Sequence, residues 1–194
     1  MGDNDSMKFC SDCSEPLRHE VPDGDDRPRH VCAACGSIHY QNPKVIAGCL
    51  PIYQDQILLC RRAISPRRGF WTLPAGFMEL GETLAEAAIR EAWEEACVTV
   101  ELDSAYTLMS LPALSQVHLF YRARMPRPEF RAGPESLEVA LFHASEIPWD
   151  DLAFETVRRT IDYFLQDRGR GRFEFREEVI VLEGPLEPRS GGTQ

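Results

Sequence analysis

Glu91, Glu94 and Glu95 recur at i, i+3 and i+4, the spacing that places side chains on one face of a helix. Carboxylates that close repel one another, and each resists ionisation beside its neighbours. A hard divalent cation reverses that cost, because it takes several oxygen ligands. Bound Mg2+ or Mn2+ would then bring the chemistry of phosphate neutralisation and water activation. Taken alone, the same three residues also describe a solvated glutamate face, and Arg90 could be no more than the i+4 partner of Glu86. The surrounding spacing favours the metal: Gly76 and Gly81 shape the preceding loop, and Glu82 stands at the helix entrance, within reach of the same place.

A second constellation lies near the N-terminus. Cys10 and Cys13 are followed, after eighteen residues, by Cys32 and Cys35. Each Cys-x2-Cys pair directs two thiolates at one point, and four thiolates make a closed tetrahedral Zn2+ site. About 35 residues bury too little apolar surface to fold alone, so the metal would supply folding energy. A closed site points to a structural zinc clip. The rival reading is a nucleic-acid-binding ribbon, but Asp23, Asp25 and Asp26 stand among Arg27 and Arg29, so the intervening segment is no basic patch. A pair of disulfides is the weaker alternative, since seven cysteines is an odd count.

These residues need elements to position them. The chain has 194 residues, 43% hydrophobic and 27% charged, which suits one ordinary domain plus a small module. Residues 7–40 form the cysteine-rich module, 44–183 an α/β domain, and 184–194 a polar tail expected to be disordered. Val45–Tyr53 and Gln56–Arg62 read as a hairpin turning at Gln54-Asp55. Further strands are expected at Trp71–Leu73, Val98–Leu108, Gln116–Met125 and Leu137–Phe142, with a weakly alternating edge strand over Arg172–Leu182. Thr83-Leu84-Ala85-Glu86 has the form of a capping box, opening a helix to Ala96, and a second helix is expected over Asp150–Leu165. On the first helix, Ala85, Ile89, Ala92, Trp93 and Ala96 are expected to pack on the sheet. His118 reads as a satisfied sheet histidine rather than a base, and Cys49, Cys60 and Cys97 as small core residues. Phe70 and Trp71 suit core packing better than stacking on a base.

The stretch from Gly76 to Val98 resembles the Nudix box, G-x5-E-x7-R-E-U-x-E-E-x-G-U with U a bulky aliphatic residue. The match holds at Gly76, Glu82, Arg90, Glu91, Glu94, Glu95 and Val98, with the smaller Ala92 at the first U and Cys97 in place of the final glycine. That glycine would ease the helix exit through a left-handed residue. The resemblance implies an α/β/α sandwich with a mixed sheet, preceded by a zinc ribbon. It implies that Glu82, Glu91, Glu94 and Glu95 hold Mg2+ or Mn2+ against a substrate diphosphate, and that Arg90 orients them. For the base it implies Glu91 or a later loop, where Glu138 and Glu135 are the candidates. Arg67, Arg68, Gly76 and Gln116 are the expected substrate contacts, although Arg67 and Arg68 equally suit a solvated loop.

The cysteine module ahead of the box resembles the zinc-ribbon branch that includes NADH, ADP-ribose and FAD pyrophosphatases. The S-Q-P-W-P-F-P-x-S motif of the NADH enzymes is absent; the corresponding stretch runs from Ser110 to His118 without it. The resemblance therefore favours ADP-ribose or FAD, a nucleoside monophosphate as product, and a homodimer. The rival class is a Nudix-like nucleotide sensor or zinc-ribbon regulator without chemistry, which intact Glu91, Glu94 and Glu95 argue against. A net charge of −10 argues against non-specific nucleic-acid binding. No apolar run approaches membrane-spanning length, and the acidic N-terminus is unlike a secretory signal, so a cytoplasmic location is expected.

Overall fold

The computed structural model describes residues 7–181, which divide into two compact units meeting at Asn42 and Pro43. The expected tail at 184–194 lies outside the described residues. The first unit carries a three-stranded antiparallel sheet, β1 (Leu17–Glu20), β2 (Arg29–Cys32) and β3 (Ile38–His39), in that order.

The second unit is built on β4 (Lys44–Tyr53), β5 (Gln56–Arg62), β6 (Trp71–Thr72), β7 (Ala75–Phe77), α1 (Leu84–Ala96), β8 (Glu101–Leu111), β9 (Gln116–Arg124), β10 (Ser136–Phe142), α2 (Glu155–Arg170) and β11 (Arg176–Val179). The sheet order is β10-β5-β4-β9-β8-β11, with β6 on β5 and β7 on β4. It is mixed: β4 runs parallel to β9 and β8 parallel to β11, while the remaining pairs are antiparallel.

Strand alternation sorts the sheet into two apolar faces. Cys49, Leu58 and Cys60 lie with Ala88, Ala92 and Ala96 of α1, whereas Leu50, Ile57 and Leu59 lie with Val157, Ile161 and Phe164 of α2. Neighbours one residue apart thus serve opposite layers, and the result is the expected helix–sheet–helix sandwich. No described helix is long and apolar enough to cross a membrane.

Three expectations are corrected. Ile89 and Trp93 do not pack on the sheet; they are 44% and 54% exposed. The alanines at 88, 92 and 96 form the contact stripe instead, because i, i+4 spacing keeps small residues where helix and sheet approach closely. The second helix begins at Glu155 rather than Asp150. Pro148 leads into a 3-10 turn over Trp149–Asp151, and Ala153 then donates to the Trp71 carbonyl, which keeps this stretch extended. The edge strand is shorter than the expected Arg172–Leu182 span, whose last residue is outside the described residues. An ion pair on the buried Asp167 carboxylate anchors it: Arg176 donates to both Asp167 oxygens at 2.6 and 2.7 Å, and Tyr106 on β8 donates to the same group at 2.8 Å.

His118 on β9 is buried between Thr156 on α2, 3.2 Å from Nδ1, and the Gln116 carboxamide oxygen, 3.0 Å from Nε2. Burial pushes its pKa down to about 4. The folded state therefore holds the ring neutral at a pH where the unfolded chain has already taken up a proton. Stability from this group is fully present above the ordinary value near 6.5 and is lost as pH falls from there to about 4, a change of roughly 3 kcal/mol. Urea melts across that window should show the loss, and a His118→Gln variant should lack that part of the slope. An unchanged slope in the variant would assign the acid sensitivity elsewhere.

Candidate functional site

Helix α1 begins where its sequence says it should. Thr83 accepts from the Glu86 amide at 3.2 Å, and the Glu86 carboxylate accepts from the Thr83 amide at 2.8 Å. With the start fixed, the 3.6-residue repeat carries Glu91 and Glu95 onto the buried side, at 8% and 6% exposure, while Glu94 stays half exposed.

Arg90 gathers the carboxylates. Its Nε and Nη2 donate to the two Glu82 oxygens at 3.0 and 2.7 Å; Nη1 donates to Glu91 at 2.6 Å and to Glu94 at 3.0 Å. Nη2 also reaches the Phe77 carbonyl at 3.1 Å, tying the helix to β7. The guanidinium holds the Glu82 carboxyl well below the usual range. Glu91 is pushed the other way, because burial outweighs its bond to Arg90. Glu95 lies outside Arg90's grip. Burial first, then the Glu91 charge, push its carboxyl up to about 8. Its Oε2 is buried without a hydrogen-bond partner.

Two glycines admit close approaches that the box spacing hides. A Cβ on Gly76 would sit 2.4 Å from the Glu91 carboxylate, so the bare backbone here makes room for that side chain. At the other end, the loop after β9 crosses the C-terminus of α1. The amides of Arg131 and Gly133 donate to the Ala96 and Glu95 carbonyls, both at 2.9 Å, satisfying acceptors that a helix end leaves open. Cys97 leaves the helix at φ 47, the left-handed conformation that a glycine would adopt without strain.

The remaining expected residues scatter. Gln116 opens β9 beside Lys44, at the same end of β4 as the residues that pair with Gly76, and its carboxamide is engaged by His118. Arg67 and Arg68 are exposed, with Arg67 over the Phe70 ring. Glu138 is 53% exposed and pairs with Arg61 at 3.5 Å. Glu135, the other candidate, stands closer to the chemistry: its charge raises the pKa of both Glu91 and Glu95. Arg62, which sequence reasoning passed over, is a half-buried cation whose charge favours the ionised form of Glu95. Arg62 lies in a strand, and the Ser136–Arg62 pairing across β5 and β10, with the Ala63 amide donating to the Glu135 carbonyl, brings it beside the loop that carries Glu135.

In the first unit the four sulfurs of Cys10, Cys13, Cys32 and Cys35 lie within 4.8 Å of one another. The Cys10–Cys35 and Cys13–Cys32 separations are 3.6 and 3.4 Å. A tetrahedral ion with ~2.3 Å bonds to sulfur sets its ligands ~3.8 Å apart, so the cluster fits one metal ion.

Residues 42–164 match the NUDIX domain family, and residues 8–41 match the zinc-ribbon family described as Nudix N-terminal. The chain belongs to the Nudix hydrolase family. A Nudix hydrolase of known structure from Nitrosomonas europaea is 48% identical, with a TM-score of 0.87 over 90% of this chain and 99% of that one. An NAD-capped RNA hydrolase, NudC, of Salmonella paratyphi C is 29% identical across 74% of this chain and 54% of its own length. An ADP-ribose pyrophosphatase of Methanocaldococcus jannaschii is 28% identical across 67% of this chain and 78% of its own. The chain thus spans about half of the length of the NudC relative. The Nudix positions Glu82, Arg90, Glu91, Glu94 and Glu95 are the residues just described around α1. Their donor set fits a hard divalent cation: one Glu95 oxygen is buried without a partner, and burial still opposes ionisation of Glu91 despite its bond to Arg90.

Proposed function

We propose that this Nudix protein hydrolyses the diphosphate bond of a nucleoside diphosphate linked to another moiety, ADP-ribose or FAD, and releases a nucleoside monophosphate. The observation that carries the reading is the buried pair Glu91 and Glu95, whose ionisation burial opposes, in one cluster with Glu82 and Glu94, where Arg90 bridges Glu82, Glu91 and Glu94. Glu82, Glu91, Glu94 and Glu95 would hold Mg2+ or Mn2+, which when bound neutralises the diphosphate and acidifies water. Arg90 keeps the carboxylates in place. Glu135 is proposed as the group that takes the proton from the attacking water, since it is the carboxylate electrostatically coupled to Glu91 and Glu95. Arg62 offers the nearby positive charge that an anionic substrate would meet.

A second reading comes from the NudC relative, whose name specifies NAD-capped RNA. Turnover of ADP-ribose, FAD, NADH, a dinucleoside polyphosphate and NAD-capped RNA, each with Mg2+ and with Mn2+, separates the two. Preference for free ADP-ribose or FAD supports the first reading, and preference for the capped RNA replaces it with the second. Binding without turnover of any of them would instead favour a sensor.

The metal of the cysteine cluster is proposed to be zinc. Elemental analysis should find about one zinc per chain, and a strong chelator should unfold the ribbon, because so small a unit has little core to hold it together. A zinc-free protein with Cys10, Cys13, Cys32 and Cys35 in disulfides would overturn this.

A further inference from the structure

Residues directly opposed in an antiparallel pair share a face of the sheet. In the ribbon, His19 opposes His30, and His30 opposes His39, so three histidines form one row across β1, β2 and β3. Leu17 and Cys32 occupy the next row on that face, two residues away on their strands.

The row divides in two. His39 belongs to the thiolate cluster: its Nε2 lies 3.3 Å from Cys10 Sγ, and with Cys10 and Asp12 it forms a group whose ligand atoms fall within 4.8 Å. His19 and His30 are left to each other. Their ring centroids are 5.2 Å apart, and the planes are tilted by 42°. Among the described residues, neither imidazole has a hydrogen-bond or ion-pair partner.

That separation is one that two imidazoles sharing an ion would also adopt. An imidazole bound through nitrogen at ~2.1 Å places its ring centre ~3.2 Å from the ion, so two such rings at a tetrahedral angle stand about 5.3 Å apart. His19 is exposed and His30 partly so, which leaves the remaining coordination positions to water and makes the ion exchangeable. We propose that His19 and His30 form a second metal site on the face of the ribbon, for a divalent transition metal of the imidazole-preferring class (Ni2+, Cu2+ or Zn2+), distinct from the four-cysteine cluster.

The test uses the full chain without an affinity tag, its zinc in place, in excess Mg2+ to occupy the carboxylate helix. Equilibrium dialysis against Ni2+ should show about one nickel per chain. His19→Gln and His30→Gln should each weaken uptake by about tenfold or more, and the double variant should abolish it. Circular dichroism and unchanged zinc content serve as the fold control. Absence of nickel on the parent, or equal uptake by the parent and a folded double variant, would overturn the proposal.

Discussion

Glu95→Gln should lower turnover by a factor of roughly 10² or more while the protein stays folded. The amide keeps the volume of the carboxyl, so packing hardly changes. It also removes a buried group whose ionisation burial opposes, with the pKa up at about 8. Melting temperature without added metal should therefore hold or rise. Affinity for Mg2+ should fall, because a hard cation favours charged oxygen. Glu94→Gln should also lose turnover, with less effect on stability, since Glu94 is half exposed. Steady-state kinetics across a Mg2+ titration, with circular dichroism beside it, reads all of this. Parent-like rates for both variants would return the helix to the status of a solvated glutamate face and remove the proposed active site.

Gly133→Ala should be among the most destabilising single-methyl additions in the second unit. Its Cβ would fall 1.7 Å from the Glu94 carbonyl oxygen and 2.8 Å from the Glu94 carbonyl carbon, both backbone atoms that cannot swing aside. The loop would have to retreat, stretching the bonds from Arg131 and Gly133 that close the end of α1. Overpacking at 1–3 kcal/mol and a weakened hydrogen bond or two at about 1 kcal/mol each suggest a loss of about 3 kcal/mol. For a unit of this size that is a drop of about 10 °C in melting temperature. Because Glu94 and Glu95 supply the carbonyl contacts, turnover should fall too. A melting temperature within about 2 °C of the parent would show that the loop is not held against the helix.

The carboxylate helix was legible because its information is local. Capping residues, the i, i+3, i+4 repeat and the preceding glycines all lie within 23 residues, so Thr83, Glu91 and Glu95 could be placed without knowing what surrounds them. The hairpin turning at Gln54 was legible for the same reason. What stayed hidden depends on residues far apart in the chain. Ile89 and Trp93 look like packing residues by hydrophobicity, yet the stripe that meets the sheet is set by the alanines. Gly133 carries no motif; its role appears only when the loop after β9 returns across α1. Arg62 likewise acquires neighbours through the β5–β10 ladder, with a register shift between Ser136 and Glu138 that no local pattern announces. The substrate side was least legible, since arginines such as Arg67 and Arg68 have the same spacing whether they grip phosphate or face water.

The Asp167–Arg176 pair fixes where this chain can be shortened. The family match stops at residue 164, but the fold does not. A polypeptide cut after Gly171 would retain the buried Asp167 carboxylate and lose its cation, a deletion that typically costs 3–5 kcal/mol. It would also bare the outer edge of β8, whose free amides and carbonyls would be open to pairing with another chain. Truncation just after α2 would thus be expected to yield a sticky, weakened protein, whereas a stop beyond Val181 would leave both the ion pair and the edge strand in place.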